Sequence, residues 1–573
     1  MIDYKAKPFY LSDEDIVWVE DTLASMSLEE KVGQLFCVTD MITDEQALRA
    51  FVEKYHPGGF MYRTGKAEEI QSAQRAMQEA SRIPLLLACN LESGGNGVAV
   101  NGTFFGRELE VAATGETEQA RRLGIVCARE GAAAGCNWAF APIVDIDCNW
   151  RNPITNVRTF GSDPDRVLAM SRAYMDGVTE SGVPMAVCIK HFPGDGVDER
   201  DQHLLSTVNS LPAEEWEASY GRIYRELIDR GAQTVMAGHI LQPAMTRKLC
   251  PGIRDEDILP GSTNKYLMTG LLRGGLGFNG LITTDATPMV GFTGTLKRRE
   301  AIARAIMGGA DVILFCKSID EDLAGVRADI EAGVITLDRV DEAVARQLAL
   351  KASLGLHIRK AEGTLVPGPE ALSVIGCGEH AAWAAECADK AITLVKDNQK
   401  LLPLSPKKTP RVRLTVLGEE QAGAFGDNSG ITAPLKTALE REGFQVALYD
   451  YATMEHGEIY ASGVEDMKAK FDLSIVAANV PTGSNNTTRR VDWITLMAAN
   501  EPWYTREIPT MFISFCNPYH MVDVPFISTF INCYSSSTFC VEAAVEKLMG
   551  RSPFRGVSPV DPWCGGIWGA EFM

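Results

Sequence analysis

Several apolar, strand-like runs of this sequence end shortly before side chains that can act as acids, bases or nucleophiles. These residues are Asn90 after Leu85–Cys89, Lys190 and His191 after Met185–Ile189, His239 after Thr234–Ala237, and Asp285 after Leu281–Thr283. A single polar residue behind a strand usually caps a helix or makes a turn. Four strand ends of this kind indicate instead one shared polar site that collects imidazole, ammonium and carboxylate groups.

The segment from Lys190 to His203 is the most informative stretch for acid–base chemistry. Glycines on both sides of Asp195 indicate a tight loop rather than a helix. In loop or extended backbone, Asp201 and His203 lie two residues apart and can point the same way, so the carboxylate can orient the imidazole. Since histidine titrates near neutral pH, His203 is a candidate general acid/base. The alternative is a solvated acidic loop with an incidental histidine, because three acidic residues crowd positions 198–201.

Asp285 is the candidate nucleophile, since it follows an apolar strand-like run. The alternative is a helix N-cap, because Pro288 follows closely and proline is common at helix starts. A histidine–aspartate pair and a further carboxylate in one pocket could serve glycosyl transfer, hydrolysis or proton abstraction. The residues alone leave these three chemistries open.

The elements that must position these side chains are eight short apolar runs. They are Leu35–Val38, Gly59–Met61, Leu85–Cys89, Trp138–Ala141, Met185–Ile189, Thr234–Ala237, Leu281–Thr283 and Val312–Cys316. Stretches with helical periodicity alternate with them, which is typical of a parallel sheet covered on both faces. Eight such units predict an N-terminal (β/α)8 barrel of the TIM type, with an open doubly wound sheet as the competing fold.

The remainder of the chain predicts a second, smaller α/β domain. Residues 1–358 form the predicted catalytic barrel, and 359–380, which are rich in glycine and proline, form a linker. Residues 381–573 form a C-terminal α/β sandwich, which opens with a predicted helix over Ala381–Val395. We expect this domain to brace the barrel or to pair subunits into a homo-oligomer.

The composition excludes some classes of partner. The 573 residues include 55 Lys and Arg against 75 Asp and Glu, which gives a net charge of −20, and 46% are hydrophobic. So acidic a chain is repelled by nucleic-acid phosphates and anionic lipids, and we expect neither nucleic acid nor membrane as a partner. The sequence contains no apolar run of the about 18 residues that a transmembrane helix needs, and its N-terminus lacks the pattern of a signal peptide.

Cysteine usage predicts a reducing compartment. Fourteen cysteines are scattered through the chain without any Cys-x-x-Cys pair, and several lie inside apolar strand-like runs. This pattern favours buried, reduced thiols over a disulfide framework or a zinc site. We therefore expect a cytoplasmic protein.

Longer motifs carry a resemblance to a known family. The run Asn137 to Asp147, with Asn152-Pro153 and Arg158-Thr-Phe-Gly161, resembles glycoside hydrolase family 3. Lys190-His-Phe-Pro-Gly194 with Asp201-Gln-His203 resembles its β-N-acetylglucosaminidase branch, and Gly277 to Asp285 resembles its nucleophile strand. Residues 388–404 resemble the opening of the family's C-terminal domain. The matching motifs follow the family's order over most of the chain.

The resemblance implies a role for each matching residue. Asp285 becomes the nucleophile that forms a glycosyl-enzyme, His203 the general acid/base, and Asp201 its partner. The residues implied to bind the sugar are Asn90, Glu92, Arg158, Lys190, His191 and His239. No metal or organic cofactor is implied. The sequence departs from the family's pattern at Asn90, where an acid is common, at Asp195, where many relatives have histidine, and in lacking an arginine from Gly94 to Gly106.

The activity implied is that of a retaining exo-β-N-acetylglucosaminidase (a β-N-acetylhexosaminidase). It would remove a terminal N-acetylhexosamine from a small oligosaccharide or glycan fragment. Two alternatives within the same chemistry are a β-glucosidase and a phosphorylase in which phosphate replaces water. A non-catalytic sugar-binding relative ranks last, because Asp285 and His203 are both present.

Overall fold

A computed structural model describes residues 2–40, 42–419, 430–449, 463–481, 483–492 and 504–566. The chain divides into two compact units. The first contains Met1–Phe104, Ala120–Asn152 and Pro164–His380, and the second contains Phe105–Gln119, Pro153–Asp163 and Ala381–Met573.

These units differ from the predicted division at two places. Two short segments of the predicted barrel domain, Phe105–Gln119 and Pro153–Asp163, group with the second unit. They lie in the long connections that follow the third and fourth barrel strands. The predicted linker 359–380 groups with the first unit and is largely helical, because it contains the end of Leu356–Glu362, all of Pro369–Val374 and the start of Gly378–Ala391.

The first unit is built on a closed barrel of eight parallel strands, which confirms the predicted fold class. The strands are β1 (Phe36–Asp40), β2 (Gly59–Tyr62), β3 (Leu86–Cys89), β4 (Trp138–Ala139), β5 (Ala186–Phe192), β6 (Thr234–Ala237), β7 (Leu281–Ala286) and β8 (Val312–Leu314). Each strand pairs with its sequence neighbours, and β8 closes the barrel on β1. Each of the eight predicted runs therefore contains a strand.

The strands are apolar because the barrel buries them on both sides. All residues of β2, β3, β5 and β6 are buried. Trp138 of β4 is fully buried, and its indole N–H donates to the hydroxyl of Thr234 on β6 at 2.9 Å. The side chains inside the barrel form a packed core, so a ligand can bind only at one of its ends.

Helices connect the strands. In the first unit the helical segments are Asp13–Ser25, Leu28–Gln34, Glu45–Tyr55, Ala67–Ala80, Thr117–Ala133 (whose first three residues belong to the second unit), Pro164–Glu180, Ala213–Trp216, Glu217–Gly221, Arg222–Arg230, Pro243–Leu249, Tyr266–Gly275, Val290–Thr293, Arg298–Gly308, Ile319–Glu331, Leu337–Ser353 and Leu356–Glu362. Glu217–Gly221 and Tyr266–Gly275 are π-helical. A two-residue parallel pair joins Thr207–Val208 to Ile240–Leu241.

The end of the barrel at which the strands begin is fixed by buried ion pairs. Asp311, directly before β8, accepts hydrogen bonds from Arg273 at 2.6 Å and Arg339 at 2.8 Å, and also from the main-chain N–H of Ile282 at 2.8 Å. Burial alone would raise the pKa of Asp311, but the surrounding guanidinium groups outweigh it and leave the pKa below its usual value. Asp311 is therefore an ionised, fully paired group of the kind that stabilises this end of a barrel.

The second unit contains a six-stranded mixed sheet. Its strands are β9 (Thr393–Asp397), β10 (Arg411–Leu417), β11 (Gln445–Tyr449), β12 (Leu473–Ala478), β13 (Thr510–Ser514) and β14 (Thr529–Asn532), in the order β9-β14-β13-β12-β10-β11. Only the β9–β14 pair among the described strands of this sheet is antiparallel. Helices Glu108–Ala113, Gly378–Ala391, Thr432–Arg441, Val464–Lys470 and Thr538–Leu548 complete the unit, except that the first residues of Gly378–Ala391 belong to the first unit.

The predicted helix over Ala381–Val395 is too long. The helix ends at Ala391, and Thr393–Asp397 is a strand. The β-branched residues Ile392, Thr393 and Val395 favour the strand, which pairs with Thr529–Asn532. Apolar residues of β10, β12 and β13 form the core of this unit with the helix Thr538–Leu548.

All fourteen cysteines are free thiols. Across the described ranges, no helix is both long enough and apolar enough to cross a membrane.

Candidate active site

The ends of the barrel strands bring most of the predicted site residues together. Asp285 is the second-last residue of β7, and His191 is the second-last residue of β5. The His191 Nε2 atom is 3.9 Å from Asp285 Oδ2. His203 and His239 are also close enough to influence the charge of Asp285. The predicted convergence of β5, β6 and β7 on one site is thus present in the structure.

The carboxyl group of Asp285 is suited to act as an anion. Burial alone would raise its pKa, but the neighbouring imidazoles of His191, His239 and His203 outweigh this effect. The main-chain N–H of Ala286 also donates to Asp285 Oδ1 at 2.7 Å. As a result the pKa of Asp285 lies below its usual value, and the side chain, 14% exposed, is a carboxylate at neutral pH. Among the described residues, its one hydrogen bond is that from Ala286, so this buried carboxylate is available to attack an electrophilic carbon.

His191 is held rigidly by Asp145. The Asp145 Oδ2 atom lies 2.7 Å from His191 Nδ1, and Asp145 Oδ1 accepts the main-chain N–H of His191 at 3.1 Å. Both side chains are almost fully buried. Because the carboxylate engages Nδ1, the Nε2 atom of His191 is the one that points toward Asp285.

His203 belongs to a second aspartate–histidine pair, which lies on the loop after β5. The Asp201 Oδ1 atom lies 2.7 Å from His203 Nδ1 and also accepts the main-chain N–H of His203 at 2.8 Å. Asp201 is buried, whereas the His203 side chain is 25% exposed. His203 Nε2 makes no hydrogen bond to any residue that the structure describes, so it can reach a ligand.

The loop that carries His203 is tied to the segment that follows Asp285. The main-chain N–H of Val290 donates to the carbonyl of His203 at 3.0 Å, and that of Gly291 donates to the carbonyl of Gln202 at 3.1 Å. A Cβ at Gly291 would lie 2.5 Å from the Gln202 carbonyl oxygen, so only glycine permits this approach. The loop that carries His203 is therefore held against the segment that follows β7.

His239 does not present a free ring nitrogen to a sugar. Its Nε2 lies 3.0 Å from the carbonyl oxygen of Ala286, and its Nδ1 lies 2.8 Å from the hydroxyl of Ser262. Since a carbonyl only accepts, Nε2 carries the proton and Nδ1 accepts from Ser262. Burial lowers the pKa of His239, so the ring is neutral. Its position next to Asp285 agrees with the prediction, but its polar contacts position the backbone beside Asp285.

Lys190 and Glu92 form a buried ion pair at the same end of the barrel. Lys190 Nζ lies 2.7 Å from Glu92 Oε1, and their side chains are 3% and 11% exposed. An ammonium group with three donors and a carboxylate with several acceptor positions are chemically suited to sugar hydroxyls. Asn90, at the end of β3, is exposed.

The loop after β3 that carries Glu92 is anchored by Glu130. The carboxylate of Glu130 accepts the main-chain N–H and the hydroxyl of Thr103 at 2.8 and 2.6 Å, and lies 2.7 Å from His380 Nδ1. A Cβ at Gly95 would lie 1.9 Å from Glu130, so the loop packs directly on this carboxylate. The anchor explains the glycine at position 95.

Arg158 and Asp195 are the two remaining residues noted in the sequence. Arg158 lies in the short helix Asn156–Arg158, within a segment that groups with the second unit, and is half-buried. Its sugar contact stays a prediction. Asp195, for which no role was predicted, is buried on the loop after β5, where its main-chain N–H donates to Asp145 at 2.8 Å.

Sequence reasoning missed Asp145, Ser262 and Glu130. Asp145 follows β4 only after a further apolar stretch, which hides the end of the strand in the sequence. Ser262 and Glu130 carry no local signal, because their partners lie 23 residues away or more. In the described part of the chain, no group of three His, Cys, Asp or Glu side chains is placed to hold a metal ion.

Comparison with known proteins gives the family. The profile described as "Glycosyl hydrolase family 3 N terminal domain" matches residues 27–350. The chain is 44% identical over 567 residues to the beta-N-acetylglucosaminidase/beta-glucosidase of Cellulomonas fimi, a match that covers 99% of each protein. It is 46% identical to the solved beta-glucoside phosphorylase BglX, with a TM-score of 0.92 over 98% of this chain and 99% of that one.

A more distant structure shares the fold. The β-N-acetylglucosaminidase of this family from Paenibacillus sp. str. FPU-7 is 22% identical, with a TM-score of 0.78 over 94% of this chain and 99% of that one. The family profile covers more than half of the chain, and the Cellulomonas relative is matched from end to end. The resemblance carried by the motifs is thereby confirmed, and this chain, with its carboxylate and imidazoles at the mouth of an eight-stranded barrel, belongs to glycoside hydrolase family 3.

Proposed function

We propose that this protein cleaves terminal β-linked N-acetylglucosamine or glucose from small glycosides, with retention of the anomeric configuration. The observation that carries the proposal is the pairing of an ionised Asp285 with the imidazole of His203, which Asp201 orients. The two groups lie on elements joined by main-chain hydrogen bonds. Retention needs a nucleophile and a proton-transferring group at one anomeric centre, and these side chains supply both.

In the first step, Asp285 attacks the anomeric carbon and the bond to the departing oxygen breaks. His203, protonated, donates its Nε2 proton to that oxygen, so the aglycone leaves as a neutral alcohol. The product of this step is a glycosyl ester of Asp285. In the second step, the now neutral His203 takes a proton from water, which attacks the anomeric carbon and releases the sugar and the Asp285 carboxylate.

Three buried groups are proposed to hold the sugar. His191, fixed by Asp145, contacts the sugar through Nε2, while Lys190 and Glu92 supply a donor and an acceptor for ring hydroxyls. Arg158 and Asn90 are proposed as further contacts on the evidence of the sequence motifs. The printed name of the Cellulomonas relative includes both sugars, which supports activity on N-acetylglucosaminides and on glucosides.

Phosphate as the acceptor is a second candidate. The solved structure that matches at 46% identity is described as a beta-glucoside phosphorylase. A neutral histidine base does not repel an incoming phosphate dianion, whereas the carboxylate of a glutamate base would. The same glycosyl-enzyme would then release a sugar 1-phosphate instead of a free sugar.

The test is an assay of nitrophenyl β-N-acetylglucosaminide and nitrophenyl β-glucoside, each with and without inorganic phosphate. Release of nitrophenol that is lost in Asp285→Ala supports the proposal. A rate in Asp285→Ala equal to that of the wild type would refute it. Free sugar as the sole product in phosphate buffer assigns hydrolysis, and sugar 1-phosphate assigns phosphorolysis. A Glu199→Gln variant, which removes an exposed carboxylate from the His203 loop, is the matched control and is expected to behave as wild type.

A further inference from the structure

Asp195 is a buried carboxyl group for which the proposed reaction has no use. It lies on the loop after β5 and is 2% exposed. Its Oδ1 atom accepts the side-chain amide of Asn152 at 3.0 Å and the main-chain N–H of Gly196 at 2.7 Å. Its Oδ2 atom is buried without a hydrogen-bond partner among the described residues. An ionised carboxylate in such a position is costly, because one oxygen loses its water and gains nothing in return.

The two donors to Oδ1 favour a negative charge on Asp195, but the carboxylates around it disfavour that charge. The carboxylates of Asp145, behind β4, and of Asp201, on the same loop, both act on it, and Asp145 is the stronger. From the π-helix Glu217–Gly221, the Tyr220 hydroxyl donates to the main-chain oxygen of Asp195 at 2.6 Å. No described lysine or arginine forms an ion pair with Asp195. Burial and then the charge of Asp145 raise the pKa of Asp195 to about 8, so it is a neutral acid near pH 7.

Asp195 and His191 share the same anchor. Asp145 Oδ1 accepts the main-chain N–H groups of both residues, at 2.8 Å for Asp195 and 3.1 Å for His191. Asp145 Oδ2 engages His191 Nδ1 at 2.7 Å. A negative charge on Asp195 would therefore repel the very carboxylate on which the loop and His191 both depend.

We propose that Asp195 is a positioning residue that works as a neutral acid: its protonated carboxyl group lets the loop pack against Asp145 and keeps His191 beside Asp285. Loss of this proton in mildly alkaline solution loosens the loop and displaces His191. The inference rests on the proposed glycosidase function. It adds a proton-dependent support to the sugar site, separate from the acid/base.

The choice of leaving group distinguishes the effect of Asp195 on the pH dependence of activity from the effect of His203. His203 must also be protonated to act as an acid, so it too produces an alkaline loss of activity with ordinary substrates. A dinitrophenyl leaving group departs without protonation, and kcat/KM for a dinitrophenyl β-glycoside then no longer depends on His203 as an acid. The alkaline loss that remains with this substrate reports on groups such as Asp195.

The experiment measures kcat/KM for the dinitrophenyl glycoside against pH in wild type, Asp195→Asn and Glu199→Gln. Asparagine keeps the Oδ1 acceptor and is neutral at every pH. We expect wild type and Glu199→Gln to lose about tenfold per pH unit above about pH 8, and Asp195→Asn to stay within about threefold of its neutral value up to about pH 9.5. An alkaline loss in Asp195→Asn with the same midpoint as in wild type would overturn the proposal.

Two further measurements test whether Asp195 has only a structural role, and they keep the proposal testable if a variant fails to fold. Asp195→Ala, which removes the acceptor for Asn152 and Gly196, is expected to lose about tenfold in kcat/KM at every pH, with Asp195→Asn restoring it. The infrared difference between neutral and alkaline wild-type protein should contain a protonated carboxyl band that is missing from Asp195→Asn. The comparison with the variant is needed because Glu110, buried in the second unit, has a pKa that burial raises to about 8. Absence of the Asp195 band overturns the proposal even if the protein proves to have no glycosidase activity.

Discussion

The barrel contains two aspartate–histidine pairs whose nitrogen–oxygen distances are the same, 2.7 Å, and whose surroundings differ. In the Asp145–His191 pair both side chains are buried, and the histidine is 6% exposed. In the Asp201–His203 pair the aspartate is buried and the histidine is 25% exposed. One contact geometry is thus found in two environments. The buried pair holds its imidazole rigidly, and the pair on the loop leaves its imidazole partly exposed to solvent and to a ligand.

Removing the carboxylate that both pairs surround should have the largest effect. Asp285→Ala is expected to lower kcat by at least about 10⁴-fold for every leaving group, because no glycosyl-enzyme can form. The measurement is the release of nitrophenol, with the thermal unfolding midpoint as the check on folding. Added azide should restore part of the rate and give a glycosyl azide of inverted configuration. An azide product of retained configuration would assign the nucleophile to another residue.

The exposed pair is tested by the leaving group. His203→Ala is expected to lower kcat/KM by about 10²–10⁴-fold for a sugar or alkyl leaving group, because no acid protonates the departing oxygen. For a dinitrophenyl leaving group the loss should be less than about tenfold. Equal losses across the series would remove His203 from the acid role and with it the contrast between the pairs.

The two aspartates give the sharpest comparison. Asp145→Asn is expected to lower kcat/KM by about 10²-fold for all leaving groups, since a misplaced His191 weakens contacts to the sugar itself. Asp201→Asn should lower it by about tenfold, and only for poor leaving groups, since it disturbs proton transfer alone. Both variants replace a carboxylate by an amide of the same shape. If both depend on the leaving group in the same way, the pairs do not have separate functions.

A smaller effect on stability and activity is expected from a substitution at Gly291, where the segment after β7 contacts the loop that carries His203. Gly291→Ala places a methyl group against the Gln202 carbonyl and should cost about 1–3 kcal/mol, either in unfolding free energy or in displacement of the His203 loop. Unfolding in urea and kcat/KM for a poor leaving group distinguish these outcomes. Gly325→Ala, where a new methyl group meets only ordinary contacts with Arg299, is the control and should leave activity unchanged. A Gly291→Ala variant that matches this control would show that the close contact has no role.

The barrel strands could be predicted from the sequence because each is a continuous apolar run, as burial on both faces requires. Asp285 and Lys190 were selected for the same reason, since polar groups stand out at the ends of such runs, whereas His203 was selected by its two-residue spacing from Asp201 on a loop. Asp145 was missed because residues 140–144 are also apolar, so the sequence does not show where β4 ends. The polar partners of His239 depend on Ser262 and Ala286, which only the folded chain brings together.

Long-range pairing also explains the errors in the second unit. Residues 392–395 fit the apolar pattern of the preceding helix, and their assignment to a strand depends on residues 529–532, more than a hundred positions later. The membership of Phe105–Gln119 and Pro153–Asp163 in the second unit has the same origin, because it reflects contacts and not composition. Local patterns therefore give element types, whereas division into units requires knowledge of distant neighbours.

The hydrogen bonds from Val290 and Gly291 to the carbonyls of His203 and Gln202 have a practical consequence for protein engineering. These bonds join the loop that carries His203 to the segment after Asp285, and the hydroxyl of Ser206 donates a third hydrogen bond to the carbonyl of Gly291. A chimera that exchanges only residues 202–206 with those of a homologue would place the new loop against residues 290 and 291 of this chain, whose hydrogen bonds are matched to the original loop. Exchanging residues 202–206 together with residues 286–291 preserves these hydrogen bonds and with them the proposed position of His203 for proton transfer.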